Sequence, residues 1–366
     1  MPEVVITGLG VVSPLGHSVA ELTRRFAAGE RAASGTDGGV LIETIPLAAV
    51  PADRRARIGR LDRICRLFLA ASFLAVDDAG LCITPDGAER VGLSFGSGLG
   101  CLLSDAEFYD KVLAQGAAAA SPRVFASTVS SAAAGEVSIA LGIHGPNATS
   151  HMGLAAGLGA IGYGCDLIQM GKADVVLAGG ADANGPALVE ALRDMRLLKD
   201  ADAARPFRDL VPGVWPSEGA GVAVLESAEH ARARGVRVWG RIASYAAGFE
   251  PTLTAPTPRR AGVVAALHRA LAASGRAPDG IDTVVTSAHG TALDGVERAS
   301  LDEVLGNAPQ RRVLAPKQAL GECFGASGAL SLAIAAGLLA NGDAEAALLS
   351  SLCYSGSIAA MVLERT

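Results

Sequence analysis

Short runs of β-branched and aliphatic residues alternate with longer amphipathic or small-residue segments along the whole chain. Most segments of either kind end at glycine, as buried strands and C-capped helices do. The predicted strands are Val4–Ile6, Val91–Phe95, Ala173–Ala178, Gly221–Leu225, Val236–Ala243, Thr283–Thr286, Val313–Ala315, Ala346–Leu349 and Ile358–Leu363. The predicted helices are Ala20–Ala28, Asp62–Ala79, Ser104–Ala114, Thr128–Leu141, a Gly/Ala helix running to Met170, Pro186–Leu197, Ala261–Ala273 and Gly325–Ala340. This alternation predicts an α/β fold with parallel sheets.

The order of elements repeats in the second half of the chain. A small-residue helix precedes ADVVLAGG (173–180) and GVAVLE (221–226), and a second one precedes AEAALLSS (344–351) and SIAAMVLE (357–364). Such repetition indicates an internal duplication. We therefore predict two halves, residues 1–230 and 231–366, fused into one compact unit because no linker rich in Pro or Ser separates them.

Composition narrows the class of protein. Of 366 residues, 50% are hydrophobic but only 4% are aromatic, and 45 are glycine, so the core consists of small, closely packed side chains. The net charge of −6 does not favour nucleic acid as a partner. One basic cluster spans Arg54 to Arg66. It is either a solvated helix face or a docking patch for an acidic protein.

The cysteine pattern and the N-terminus indicate a cytoplasmic protein. Six cysteines are scattered without the spacing of a metal site or a disulfide framework. The first residues lack a secretory signal, and every long apolar run is interrupted by Gly or charge. We expect reduced thiols, no bound metal and no membrane segment.

The Gly/Ala helix is the most informative segment. It opens with TSHMGLAAGLGAIG (149–162), and GLGAIG within it matches the dinucleotide fingerprint GxGxxG. That fingerprint normally follows a strand directly, whereas a turn precedes it here. Close packing of the helix explains the glycines better than dinucleotide binding does.

A series of motifs extends over nearly the whole chain in a fixed order. They are VVITGLGVVSPLG (4–16), VGLSFGSGLG (91–100), GPNATSHMGLAAGLGAIG (145–162), GKADVVLAGGADA (171–183), ARPFRDLVPGVWPSEGAGVAVLE (204–226), SAHGT (287–291) and APKQALGECFGASGAL (315–330). Together they resemble the β-ketoacyl synthases of the thiolase fold. The resemblance implies duplicated βαβαβαββ halves in a five-layered αβαβα arrangement.

The family's chemistry, as the resemblance implies it, needs a cysteine at the start of a buried helix and two histidines. The cysteine is acylated by a carrier-bound chain, and the histidines assist decarboxylation and stabilise the enolate oxygen. Here Leu154 occupies the cysteine position, His289 keeps the first histidine, and Glu322 replaces the second. Lys317 is kept and is predicted to pair with Glu322. The family's gating loop GFGGTN reads CYSGSI, with Tyr354 as its aromatic residue.

One branch of the family resembles this chain more specifically. GLAAGL (153–158) and LAPK (314–317) are similar to segments of chain-length factors, the non-catalytic ketosynthase subunits of type II polyketide systems, although Leu154 replaces that branch's Gln. The resemblance implies a heterodimer with an active ketosynthase. It also implies an acyl carrier protein that brings the phosphopantetheine, so that this chain binds no cofactor of its own.

A product tunnel is implied as well. Its candidate wall is formed by Phe108, Tyr109, Val112 and Leu113, which are otherwise ordinary core or dimer contacts. Two alternatives remain open: a stand-alone acyltransferase with an unrecognised nucleophile, or a homodimeric binding protein with a dead site. For the first, Cys323 and Cys101 are the thiols to consider. His289 is either a relic that only makes structural hydrogen bonds or a residue that keeps a role in the complex.

Overall fold

The computed structural model describes residues 2–366 apart from 34, 36–37, 53–54, 56–57, 201–204, 208–212, 252–256, 258 and 307. Part of the basic cluster (Arg54, Arg57) and much of the ARPFRDLVPG segment therefore lie outside the described residues. The strands are β1 Val4–Val12, β2 Val91–Gly96, β3 Asn147–Ser150, β4 Val175–Asp182, β5 Gly219–Ser227, β6 Gly240–Phe249, β7 Thr283–Val285, β8 Arg312–Leu314, β9 Ala346–Leu352 and β10 Ser357–Glu364.

The α-helices occupy the intervals between these strands. They are α1 Val19–Ala27, α2 Arg63–Asp78, α3 Leu102–Gln115, α4 Pro122–Phe125, α5 Ala132–Leu141, α6 Ala156–Gln169, α7 Pro186–Asp194, α8 Ala228–Arg234, α9 Arg260–Ser274, α10 Ala292–Leu305, α11 Lys317–Leu320 and α12 Ser327–Asn341. All predicted elements are present, with shifted ends.

The strand order shows the duplication directly. The strands run β3-β2-β4-β5-β1 in the first half and β8-β7-β9-β10-β6 in the second, so each strand has a counterpart five numbers later. The halves are joined where β1 pairs with β6 over Val4–Ile6. In each half only the first strand pairs are parallel, β2 with β3 and β4, and β7 with β8 and β9.

The prediction of parallel sheets therefore holds only for β2 with β3 and β4 and for β7 with β8 and β9, and the sheet is mixed. Both halves turn antiparallel at β4–β5 and β9–β10, because the chain enters the last strand of the pair from the end at which the preceding strand finished, after α7 in the first half and after a short turn in the second. Strand β3 was expected to be a turn because Asn147–Ser150 lacks an apolar run. The structure places it at the edge of the sheet, where polar residues are tolerated. Helices α4, α8, α10 and α11 were not predicted either. In α10, buried Asp294 and Glu297 interrupt the apolar pattern.

Five layers stack around a central helix pair. Helices α6 and α12 contact each other and lie between the two half-sheets, α6 against β2 and β4 and α12 against β5 and β9. Helix α2, with α5 beside it, covers the outer face of the first half, and α9, with α10 beside it, covers the second. This is the predicted αβαβα arrangement. The segment Phe324–Asn341 is long and apolar enough to cross a membrane by composition, but 83% of it is buried as a core helix.

Candidate functional site

Leu154 lies in a single 3₁₀ turn, Gly153–Ala155, that leads into α6. Its side chain is 7% exposed and packs in an apolar cluster with Leu188, Leu192, Phe324 and Cys353. Its carbonyl oxygen accepts a hydrogen bond from Ser351 Oγ at 3.1 Å. Leu154 therefore fills space in the core at this position and supplies no reactive group.

Three buried side chains meet where α11 ends. Lys317 Nζ lies 2.7 Å from Glu322 Oε2, as predicted, and both residues are at most 3% exposed. Glu322 Oε1 accepts hydrogen bonds from the backbone N–H of Phe324 and from Ser327 Oγ, both at 2.9 Å. Burial alone would raise the pKa of Glu322, but the Lys317 charge and these hydrogen bonds hold it below its ordinary value. The pair is an ionised, fully satisfied structural unit.

His289 lies beside this pair with its ring fixed in one orientation. Nδ1 donates to the Ser287 carbonyl oxygen at 3.2 Å and lies 3.7 Å from Glu322 Oε2. Burial and the Lys317 charge lower the pKa of His289, so the imidazole is neutral. Because a carbonyl oxygen only accepts, Nδ1 carries the proton and Nε2 carries the lone pair. Nε2 is buried without a hydrogen-bond partner among the described residues.

Buried acids hold the loops around these residues. Asp294 accepts four backbone hydrogen bonds, from His289 and Thr291 on one oxygen and from Phe207 and Gly290 on the other. Lys199 Nζ donates to the Gly290 carbonyl oxygen at 2.7 Å. The segment that carries His289 is therefore held from both sides.

Asp182, at the end of β4, also fixes loops by accepting their hydrogen bonds. It accepts hydrogen bonds from Ser97 Oγ and from the backbone N–H groups of Gly98, Leu99 and Gly325, at 2.6 to 3.1 Å. Burial raises its pKa to about 6 against the effect of these hydrogen bonds. One carboxylate thus ties the glycine-rich turn after β2 to the turn before α12.

The gating-loop equivalent is a tight turn between β9 and β10. The Cys353 and Gly356 backbone N–H groups donate to the Ser357 and Cys353 carbonyl oxygens, both at 2.9 Å. Cys353 is buried, whereas Tyr354 is 36% exposed. Burial raises the pKa of Tyr354 to about 12.

The predicted tunnel residues lie on α3. This helix has no buried residue in this chain, and Tyr109 and Leu113 are 59% and 82% exposed. Phe108 contacts Tyr109 and Phe125, each with ring centroids 5.5 Å apart. Val112 is half-buried. They are not core residues of the single chain, so the interpretation as ordinary core is wrong, and their role in a tunnel stays a prediction.

The other residues noted in the sequence, the GxGxxG glycines and two cysteines, have structural roles or are buried. Gly159 and Gly162 of the GxGxxG segment face Met152 Sδ and the Tyr245 ring, where any Cβ would overlap, so close packing explains these glycines. Cys323 is fully buried and its pKa is raised to about 12 by burial. Cys101 is also buried. Among the described residues no group of three His, Cys, Asp or Glu side chains is placed to hold a metal ion.

What remains of the basic cluster lines a cavity of about 210 Å³ beside the start of α2. Arg60, Arg63, Arg66 and Arg123 contribute to its wall. Arg63 forms an ion pair with the buried Glu218. Arg66 Nε is buried without a partner among the described residues. Asp62 and Glu107 also line the cavity, so that, with Glu218 included, four arginines face three carboxylates.

Two family models match the chain. The Beta-ketoacyl synthase N-terminal domain matches residues 48–231, and the Beta-ketoacyl synthase C-terminal domain matches residues 239–348. The chain belongs to the β-ketoacyl synthase family. Among similar proteins of this family, nodulation protein E of Rhizobium leguminosarum bv. trifolii is 35% identical over 90% of this chain and 84% of that protein.

Two further similar proteins differ in the function that their names give. The 3-oxoacyl-[acyl-carrier-protein] synthase 2 of Staphylococcus aureus (strain COL) is 30% identical over 90% of this chain and 83% of that protein. A solved structure, the ishigamide ketosynthase/chain length factor, superposes with a TM-score of 0.87 at 27% identity, covering 100% of this chain and 99% of the other. The ketosynthase fold is thus established, while these relatives by their names include both synthases and a chain length factor.

Several residues of this site were not identified from the sequence. Asp182 ends β4, Asp294 lies in the first turn of α10 and Lys199 lies in a loop. None of them carries a sequence signal beyond an acid at a strand end or at a helix start. Cys353 was noted only as part of the altered loop. Its contact with Gly153 depends on how β9 lies against the turn before α6.

Proposed function

We propose that this chain is the non-catalytic chain-length-factor subunit of a heterodimeric β-ketoacyl synthase that acts on acyl chains held by an acyl carrier protein. The observation that carries the proposal is Leu154, an apolar, packed side chain where the resemblance places the nucleophilic cysteine. Leucine cannot form a thioester. The leucine side chain keeps this part of the core filled, but it supplies no nucleophile.

The Lys317–Glu322 pair supports the same proposal. In an active family member a histidine at the position of Glu322 would donate a hydrogen bond to the enolate oxygen. An ionised glutamate only accepts hydrogen bonds, and its charge repels a developing oxyanion. Both acceptor oxygens are already used, by Lys317 on one side and by Phe324 N and Ser327 Oγ on the other. This chain alone then lacks the groups for decarboxylative condensation.

The need for a partner is supported by the surface around α3. Large apolar side chains are left uncovered there in the single chain, namely Tyr109, Leu113, Phe125, Val129 and Ile139, which are 48–82% exposed. We call this set the α3–α5 patch. Large exposed apolar residues of this kind, where they adjoin on a surface, mark interaction sites. The ketosynthase partner of the proposal would cover the patch and place Phe108 and Val112 at the wall of its product tunnel.

The proposed interaction with a carrier protein is supported by the cavity beside α2, which has four arginines on its wall. Carrier proteins are acidic, and a cavity with Arg60, Arg66 and Arg123 on its wall suits an acidic surface or a phosphate. In this proposal the carrier brings the phosphopantetheine arm, and its acyl chain reacts on the partner's cysteine. The chain-length factor contributes the far wall of the tunnel.

The deciding experiment is affinity purification of this chain from its native cells, followed by native mass spectrometry of any complex with a cysteine-containing ketosynthase. A one-to-one complex that condenses carrier-bound acyl groups, while this chain alone does not, supports the proposal. A stable homodimer without such a partner points to a binding protein with a dead site. Condensation by the isolated chain points to a stand-alone acyltransferase, and either result overturns the proposal.

Product length tests the tunnel assignment separately. In the complex, Phe108→Ala should lengthen the released chains, because a large side chain at the tunnel end limits how far the product extends. Val129→Ala, which lies on the α3–α5 patch but outside helix α3, is the control and should leave the product length unchanged. Unchanged products in both variants would remove Phe108 from the tunnel.

A further inference from the structure

The first residues of helices α2 and α3 face each other. Asp62 caps α2, and one of its carboxylate oxygens accepts a hydrogen bond from the Ile64 backbone N–H at 3.0 Å. The other carboxylate oxygen accepts from the backbone N–H and from the Oγ of Ser104, at 2.9 and 2.6 Å. Ser104 is the third residue of α3, which begins after Cys101. The capping residue of one helix therefore contacts the third residue of the other.

The reciprocal contact joins two thiols. Cys65 is the third residue of α2, and Cys101 is the capping residue of α3. Their side chains are hydrogen-bonded to each other, and both cysteines are at most 2% exposed within one apolar cluster. Both thiols are free. The packing that joins Asp62 to Ser104 therefore also holds two cysteines in contact that are far apart in the sequence.

The surroundings of the two thiols favour uncharged sulfur. The hydrogen bond with Cys101 and burial raise the pKa of the Cys65 thiol, so this thiol is neutral. Among the oxidised forms of cysteine, sulfinic and sulfonic acids carry charge into the core, whereas a disulfide does not. A disulfide also leaves no acceptor unsatisfied. Cys101 Sγ donates to the Val129 carbonyl oxygen at 3.6 Å, but that oxygen also accepts the Ala132 backbone N–H at 2.9 Å.

We propose that Cys65 and Cys101 form a disulfide when the protein is exposed to a hydroperoxide. One sulfur attacks a peroxide oxygen as its thiolate, the O–O bond breaks, and the leaving hydroxide takes the thiol proton to give water. The second sulfur attacks the sulfenic sulfur that results, and the S–S bond replaces the S–O bond with release of a second water. The sulfurs are oxidised and the peroxide is reduced. The approach is short, because Arg66, next to Cys65, and Leu103, near Cys101, line the cavity of about 210 Å³.

The test is exposure of the reduced full-length chain to hydrogen peroxide, followed by blocking of the remaining thiols with N-ethylmaleimide in urea and mapping of the unreduced peptides. We expect the intact chain to lose the mass of two hydrogens and one cross-linked peptide to join Cys65 to Cys101. Dithiothreitol should restore both thiols. The inference is overturned if both cysteines are still blocked by N-ethylmaleimide after oxidation, if either becomes a sulfinic or sulfonic acid without a cross-link, or if the cross-link runs through Cys82.

Two variants separate this pair from the other thiols. Cys65→Ala should give no cross-link, while Cys82→Ser, which removes an exposed thiol elsewhere, should keep it. Oxidation should raise the urea midpoint of the wild type, because a disulfide restricts the unfolded chain, and should leave that of Cys65→Ala unchanged. Mapping of the wild type decides the matter even if Cys65→Ala does not fold. The inference does not rest on the proposed function: a heterodimer without the cross-link removes only this inference, and a cross-link in a chain that forms no heterodimer removes only the proposed function.

Discussion

The buried Lys317–Glu322 pair makes each partner depend on the other. Removing one side chain leaves an unpaired charge in a site that is at most 3% exposed. We therefore expect Lys317→Met or Glu322→Gln alone to lower the free energy of unfolding by about 3–5 kcal/mol. The double variant should lose much less, because it leaves no uncompensated charge. Urea unfolding of the three variants measures this as a double-mutant cycle.

Additive losses in that cycle would contradict the ion pair. As a control for the mere loss of polar side chains, Arg90→Met removes a surface pair with Asp174 in which both side chains are nearly half exposed. Surface pairs contribute about 0–1 kcal/mol, so that variant should stay close to wild type.

Glu297 gives the protein a pH-dependent stability. Burial raises its pKa from 4.5 to about 7, although Ser287 and Ser350 donate hydrogen bonds to it. A raised carboxyl pKa means that the folded state binds the proton more tightly than the unfolded state. The contribution to stability is therefore complete below pH 4.5 and is lost as the pH rises through about 7.

Glu297→Gln should remove this loss. From pH 4.5 to pH 8, the free energy of unfolding of the variant should rise relative to that of the wild type by on the order of 3 kcal/mol. The measurement is the free energy of unfolding of both proteins across that range. Parallel curves for the two proteins would show that Glu297 titrates normally.

Helix α2 and strand β1 are packed with their backbones in contact. The sequence pattern predicted that β1 ends at Ile6, before the glycines of TGLGVV, but the strand continues to Val12. A Cβ on Gly8 or Gly10 would overlap the carbonyl oxygens of Ala75 and Ala71 in α2. These glycines therefore allow the close approach of the helix, and they do not break the strand.

Gly10→Ala should thus lower the free energy of unfolding by about 1–3 kcal/mol through overpacking. Gly135→Ala is the matched control, because nothing lies within 4 Å of the added Cβ in helix α5. That change should stabilise the protein by about 0.5–1 kcal/mol through helix propensity. Equal effects of the two substitutions would refute the packing argument.

At the scale of the whole molecule, the α3–α5 patch decides how the chain assembles. Leu113→Glu should weaken binding to the ketosynthase partner at least tenfold, because it buries a charge in the proposed interface. Stability of the free chain should change by less than about 0.5 kcal/mol, since Leu113 is 82% exposed. Met195→Glu, at a site 59% exposed outside the patch, is the control and should not affect binding. Binding is measured by titration calorimetry.

Most of the fold could be predicted from the sequence because its elements carry strong local patterns. Apolar runs bounded by glycine located nine of the strands, and small-residue runs located the central helices α6 and α12. Polar Asn147–Ser150 and the acidic start of α10 carry no such pattern, so these elements were missed. The domain boundary at residue 230 stays a prediction, although the family models also divide the chain between residues 231 and 239.

The sequence by itself determined which chemistry the chain can carry. Leu154 cannot be acylated and Glu322 cannot donate a hydrogen bond when ionised, whatever the fold. Only the tertiary structure decided which groups meet. The antiparallel turn at β9–β10 brings Cys353 to Gly153, and the loops after β7 and before α12 bring His289 to Lys317 and Glu322. These contacts join segments far apart in the chain and depend on strand order and register, which the local spacing of apolar residues does not specify.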